Sequence, residues 1–201
     1  MLSFIIKGGV FIYPIIICSI VSLTIFIERV LSLRRKKIIP EAFLESIERL
    51  IKKENVSEAL GLCENNSSSI ARIFYAGIKN YGKRREAIKE RIEEVGRREA
   101  VVLGRYVEAL ATIASVSTLL GLLGTIAGMI KIFSVISLQS VVNPSVLAGG
   151  ISEALYTTAA GLTVAIPTLI FYRYLSSKSN ALIVEMEECS AQMVELIKEK
   201  E

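Results

Sequence analysis

Three stretches of this chain are long, apolar and free of charge, and they restrict its fold more than any other feature. Residues 8–27 carry no charged side chain between Lys7 and Glu28, residues 109–130 none between Glu108 and Lys131, and residues 154–172 none between Glu153 and Arg173. A helix rises about 1.5 Å per residue, so roughly 20 apolar residues cross a hydrocarbon layer about 30 Å thick. All three stretches reach that length. The expectation is an all-α integral membrane protein with three transmembrane helices. A cleaved signal peptide is the alternative for the first stretch, but the apolar run is too long and leads into Glu28-Arg29 rather than a small-x-small site.

The rest of the composition agrees with two solvents. The chain is 52% hydrophobic with a mean hydropathy of +0.50, apolar for a protein in which 22% of residues are charged. Those charges fill 28–108 and 173–201 and nearly vanish elsewhere. A net charge of +4 is mild, and no basic face interleaved with aromatics offers itself to nucleic acid. Cys18, Cys63 and Cys189 are widely spaced and form no metal or redox motif, so free thiols are expected. The sequence has no histidine, which removes the common metal ligand and the common general base at neutral pH. Neither a cofactor nor enzymatic activity is expected.

Orientation follows from Lys and Arg near the ends of the spans. Arg29, Arg34, Arg35, Lys36 and Lys37 follow the first span, Arg91, Arg97, Arg98 and Arg105 precede the second, and Arg173 and Lys178 follow the third. The opposite side has only Lys7 and Lys131. The N-terminus is therefore expected outside, with 28–108 and the C-terminus in the cytoplasm. The organisation that results is a first transmembrane helix within 1–30 and a cytoplasmic helical region over 31–83. A long helix holding the second span follows over 84–136, then an outer loop over 137–148. The third span and a C-terminal cytoplasmic helix occupy 149–201.

In the cytoplasmic part, Pro40 suits a first helical turn, and Phe43, Leu44, Ile47, Leu50 and Ile51 repeat on one face, predicting two short helices within 40–64. A break near Asn65-Asn66-Ser67 precedes a further helix through Ile70, Ile73, Phe74 and Ile78, ended by Gly82. From Arg84 onward Ile88, Ile92, Val95, Val102, Tyr106 and Ala109 form a seam interrupted by Glu99, in phase with the second span. Leu182, Met186, Cys189, Met193 and Leu196 extend the third span in the same manner. Both spans are expected to be the membrane halves of helices about 50 residues or roughly 75 Å long. Such seams want a facing helix, from the same chain or from a neighbouring copy.

Within the spans the small and hydroxylated residues stand out. Gly121, Gly124 and Gly128 share one face of the second, with Thr125 beside it, and the third holds Thr157, Thr158, Gly161, Thr163 and Thr168. The glycines permit close helix packing. The threonines either bond back to their own helix or line a wet path. Glu153 is costly if it faces lipid, so it either snorkels to the interface or stands at the outer mouth of an ion path. Neither the second nor the third span holds a carboxylate between its flanking charges. Hydroxyls hydrogen-bond to water or an ion but hold no proton at neutral pH. A proton path here would take its midplane acid from another chain.

The motifs GLLGTIAGMIKIF at 121–133 and GGISEALYTTAAGLTVAIP at 149–167 resemble those of the ExbB/TolQ family, the proton-channel proteins of bacterial inner-membrane motors, more distantly related to MotA. The resemblance covers nearly the whole chain. It implies that Thr125 and Thr158 line the channel and that Glu153 is the family's third-span glutamate. It further implies a homopentameric ring in the inner membrane around a single-span ExbD- or TolR-like partner, whose transmembrane aspartate supplies the acid. The work would energise a TonB- or TolA-like protein. One departure is Thr118, where the family usually has proline. A self-sufficient transporter and a passive membrane scaffold are the competing readings.

Overall fold

The computed structural model describes residues 9–138 and 144–198. Among the described residues every regular element is helical: α1 Ile12–Ser32, α2 Arg35–Ile38, α3 Glu41–Lys52, α4 Val56–Glu64, α5 Ser69–Ile78, α6 Arg85–Gly104, α7 Val107–Leu138 and α8 Pro144–Lys198. Among the described residues three segments are long and apolar enough to cross a membrane: Ile12–Ser32, Arg85–Leu138 and Pro144–Ile197. The second consists of α6 and α7, joined through a turn at Arg105 and Tyr106, where Tyr106 has φ +65°. Lys7, counted above among the outer charges, lies outside the described residues, as do 139–143 of the expected loop. Helix already occupies the positions up to Leu138 and from Pro144 on either side of them.

The chain divides into two compact units, one of Met1–Glu28 with Tyr106–Leu175, the other of Arg29–Arg105 with Ser176–Glu201. In the first, α1 shares a compact unit with α7 and the first part of α8. Phe26 and Phe171 stack with ring centroids 3.9 Å apart, and Ile12, Ile15, Leu110, Ala154 and Leu175 are buried. The outer faces are strongly apolar: Leu119, Ile130, Leu155 and Ile170 are each more than 60% exposed. Side chains of that kind belong against lipid or another apolar chain.

The second unit is an ordinary amphipathic assembly with a water-facing exterior. Phe43, Ile47 and Ile51 of α3 are buried, as are Ile70, Ile73, Phe74 and Ile78 of α5, and the Phe43 and Phe74 rings lie 6.1 Å apart. Local chemistry starts and stops these helices. Pro40 stands one residue before α3 as its N-cap rather than within its first turn. The Asn55 side chain accepts from the Glu58 amide at 3.3 Å and the Ser68 hydroxyl accepts from the Ala71 amide at 3.3 Å, capping α4 and α5. Beyond α3, Glu54 takes the left-handed conformation at φ +58°, and its neighbour's amide, that of Asn55, donates back to the Leu50 carbonyl at 3.1 Å. Cys63 is buried, and burial, together with the nearby Glu64 charge, pushes its thiol up to about 12.

The seams differ in phase from the expectation at several places. Over residues 85–110 the buried positions are Ile88, Ile92, Glu99, Leu103, Val107 and Leu110, whereas Val102 and Tyr106 are exposed and Ala109 is half-buried. Glu99 is no interruption. Its carboxylate accepts two hydrogen bonds from the Arg72 guanidinium, at 2.6 and 2.5 Å, so a charged residue occupies the inner face with its partner. On α8, Leu182, Met186 and Met193 are buried as the pattern predicts, but Ser190 and Ile197 fill the seam where Cys189 and Leu196 remain half-buried.

Candidate functional site

The site is built where α7 and α8 run antiparallel. On α7 the buried positions Leu110, Ala114, Ser117, Gly121, Gly124, Gly128 and Ile132 recur every three or four residues and so form one face. Gly150, Ala154, Thr157, Thr158 and Gly161 of α8 lie against that face. A Cβ on Gly161 would lie 2.6 Å from the Ser117 carbonyl oxygen and 3.0 Å from the Gly121 Cα, and one on Gly121 would lie 3.3 Å from the Thr158 Cα. At Gly128 a Cβ would meet the Ala154 Cβ at 2.7 Å, and at Gly124 it would overlap the Thr157 side chain. The two backbones approach closely because these positions carry no side chain.

The hydroxyls along this face have different partners. Thr158 donates across the interface to the Gly121 carbonyl at 2.8 Å. Thr125, half-buried, donates within its own helix to the Leu122 carbonyl at 2.6 Å. Thr157 is buried and donates to the Glu153 carbonyl at 3.0 Å, and Thr168 donates to Val164 at 2.8 Å. The Ser117 hydroxyl is fully buried with no hydrogen-bond partner among the described residues.

Glu153 stands towards the N-terminal end of α8. Its side chain is 34% exposed, and its carboxylate accepts from the Lys131 ammonium at 3.2 Å. Gly9, at φ +67°, lies so close that a Cβ there would overlap the carboxylate. A cavity of about 530 Å³ opens beside the pair, lined by Gly9, Lys131, Ile132, Val135, Gly150 and Glu153 among others. No group of three or more Cys, Asp or Glu that could hold a metal ion occurs among the described residues.

Gly121, Gly124, Gly128, Gly161 and Thr158 thus meet in one interface, with Glu153 at its end and Thr125 at its margin. Four contributors escaped the sequence reading. Ser117 and Gly150 extend the small-residue face by one step in each direction, a spacing visible in the sequence. In the sequence Thr157 is one threonine among several, whereas in the structure it packs on Gly124. In the sequence Lys131 is only an orientation signal, and nothing in its neighbourhood points to a residue 22 positions away.

A profile of the MotA/TolQ/ExbB proton channel family matches residues 65–188. An ExbB-like protein of Synechocystis sp. is 33% identical over 183 residues, covering 89% of this chain and 87% of that one. The Tol-Pal system protein TolQ of Pseudomonas aeruginosa is 29% identical over 85% of this chain and 78% of its own. The biopolymer transport protein ExbB of Salmonella typhimurium is 34% identical over 54% of this chain and 46% of its own. Matches of this extent, over the very helices that build the glycine-lined interface, place the chain in the MotA/TolQ/ExbB proton channel family.

Proposed function

We propose that this chain is a ring-forming subunit of a motor in the bacterial inner membrane, driven by the proton-motive force. The observation that carries this reading is the α7–α8 interface. It joins the Thr158 hydroxyl to the Gly121 carbonyl and the Glu153 carboxylate to the Lys131 ammonium at two levels of a closely packed helix pair, yet the helices hold no carboxylate at mid-depth. Hydroxyls relay protons through water without storing one. A single-span partner carrying a transmembrane aspartate, of the ExbD or TolR kind, completes such a path. Thr125, Thr158 and Glu153 are the pathway residues of this chain, and Gly121, Gly124, Gly128 and Gly161 set the helix spacing. The ring is a homopentamer with its N-termini outside and the charged unit in the cytoplasm, as the Lys and Arg distribution favours. The work passes to a TonB- or TolA-like protein serving outer-membrane transport or envelope maintenance, in keeping with the names ExbB and TolQ among the relatives.

The test is Thr158→Ala and Glu153→Ala in cells carrying the native partners. Both variants are expected to lose most energised function while the assembly persists on native gels. Loss of assembly in both would make these residues purely structural, and full function in both would favour a passive scaffold.

A further inference from the structure

Between Glu108 and Arg173 the sequence carries only two charged side chains, Lys131 and Glu153. They come from different helices, 22 residues apart, and meet at 3.2 Å. The contact is held in place by its surroundings. Ile132, next to Lys131, packs where a Cβ on Gly150 would stand, and Ala154, next to Glu153, packs against Gly128. These neighbours fix the register of α7 against α8 on both sides of the pair. Gly9 lies against the carboxylate, and the cavity of about 530 Å³ that opens beside it is lined by Gly9, Lys131 and Glu153. The Glu153 backbone in turn receives the Thr157 hydroxyl, one residue before the Thr158 that crosses to Gly121.

We propose that Lys131 is a positioning residue for the proton path, holding the Glu153 carboxylate at the mouth of the cavity between α7 and α8. The inference rests on the channel reading of Glu153 given above and adds to it the residue that aims the carboxylate. A carboxylate with several rotatable bonds and no partner would spread over many orientations. The Lys131 ammonium, carried by the facing helix on a side chain 66% exposed, favours those orientations that reach it. An exposed ion pair in water adds little to stability, so the effect lies in orientation rather than in fold stability.

The experiment compares Lys131→Met, Lys131→Gln, Lys131→Arg and Glu153→Gln in the full chain. Proton flux is read in membrane vesicles from cells that supply the native partners. Infrared difference spectra of the purified chain supply the second readout, with the Glu153 carboxylate band identified as the one lost in Glu153→Gln. Lys131→Met and Lys131→Gln are expected to shift that band and lower flux, by up to about the hundredfold that a 1 Å misplacement of a reacting group costs. Lys131→Arg is expected to retain the flux. An unshifted band, or undiminished flux in both neutral variants while Glu153→Gln is impaired, overturns the role of Lys131 alone. Undiminished flux in Glu153→Gln removes Glu153 from the path and overturns both readings. Neutral variants that fail to assemble, with Lys131→Arg intact, would show Lys131 to be structural and also overturn the proposal.

Discussion

Individual residues in this chain divide sharply by what a single atom would meet. Gly161 and Gly61 are both helical glycines, yet a Cβ at Gly161 would strike the Ser117 carbonyl whereas at Gly61 nothing lies within 4 Å. Backbone cannot step aside as a flexible side chain can. Gly161→Ala is therefore expected to destabilise by about 1–3 kcal/mol, while Gly61→Ala gains up to about 1 kcal/mol from helix propensity. Thermal unfolding of both variants in the same detergent checks the contrast in sign. Cys63 offers a second test. Its thiol is raised from an ordinary 9.0 to about 12, and the thiolate is the reactive form. In a Cys18→Ser, Cys189→Ser background, alkylation of Cys63 at pH 8 is expected to be at least a hundredfold slower in the native protein than in denaturant. The native rate should climb as the pH approaches 12. Equal rates in the two states would contradict the burial.

Among the elements, α5 and α6 are joined by more than apolar contact. The Glu99 side chain is 9% exposed and the Arg72 side chain 48% exposed, and they form two charge-assisted hydrogen bonds. The bond to Glu99 is the main cause holding Arg72 above its ordinary range. Arg72→Ala strands a largely buried carboxylate, at a cost of about 1–3 kcal/mol, moderated because water reaches the Arg72 side of the pair. Arg72→Lys is expected to recover only part of this, since an ammonium does not reproduce the planar fork. Chemical denaturation of the two variants distinguishes them, and equal stability of Arg72→Ala and the parent would remove the pair from the account. Elsewhere the sequence marks the elements well. Capping by Asn55 and Ser68 and the buried faces of α3 and α5 are stated by residue type and spacing within a few positions of one another.

At the scale of the whole molecule, the apolar outer faces of α1, α7 and α8 need lipid or other chains to cover them. The ring reading predicts a native mass near five times 22.1 kDa for the protein in mild detergent, corrected for bound detergent. A monomer or dimer obtained in the presence of all partners would refute a stable pentamer. How much of this was legible in advance follows from the range of the forces involved. Span number, charge segregation, free thiols and the lack of a mid-depth acid depend on local composition, so the sequence alone determined them. The burial phase of α6–α7 did not follow from it. At 3.6 residues per turn, neighbouring faces such as Val102–Tyr106 and Leu103–Val107 are equally periodic, and only packing chooses between them. Likewise Thr125 and Thr158 look alike in sequence, but the backbone contact at Gly121 and Gly161 gives Thr158 alone the carbonyl across the interface. The Lys131–Glu153 and Arg72–Glu99 pairs join residues 22 and 27 positions apart. Local pattern does not extend over such separations, and the tertiary structure decided them by fixing the register in which the helices pack.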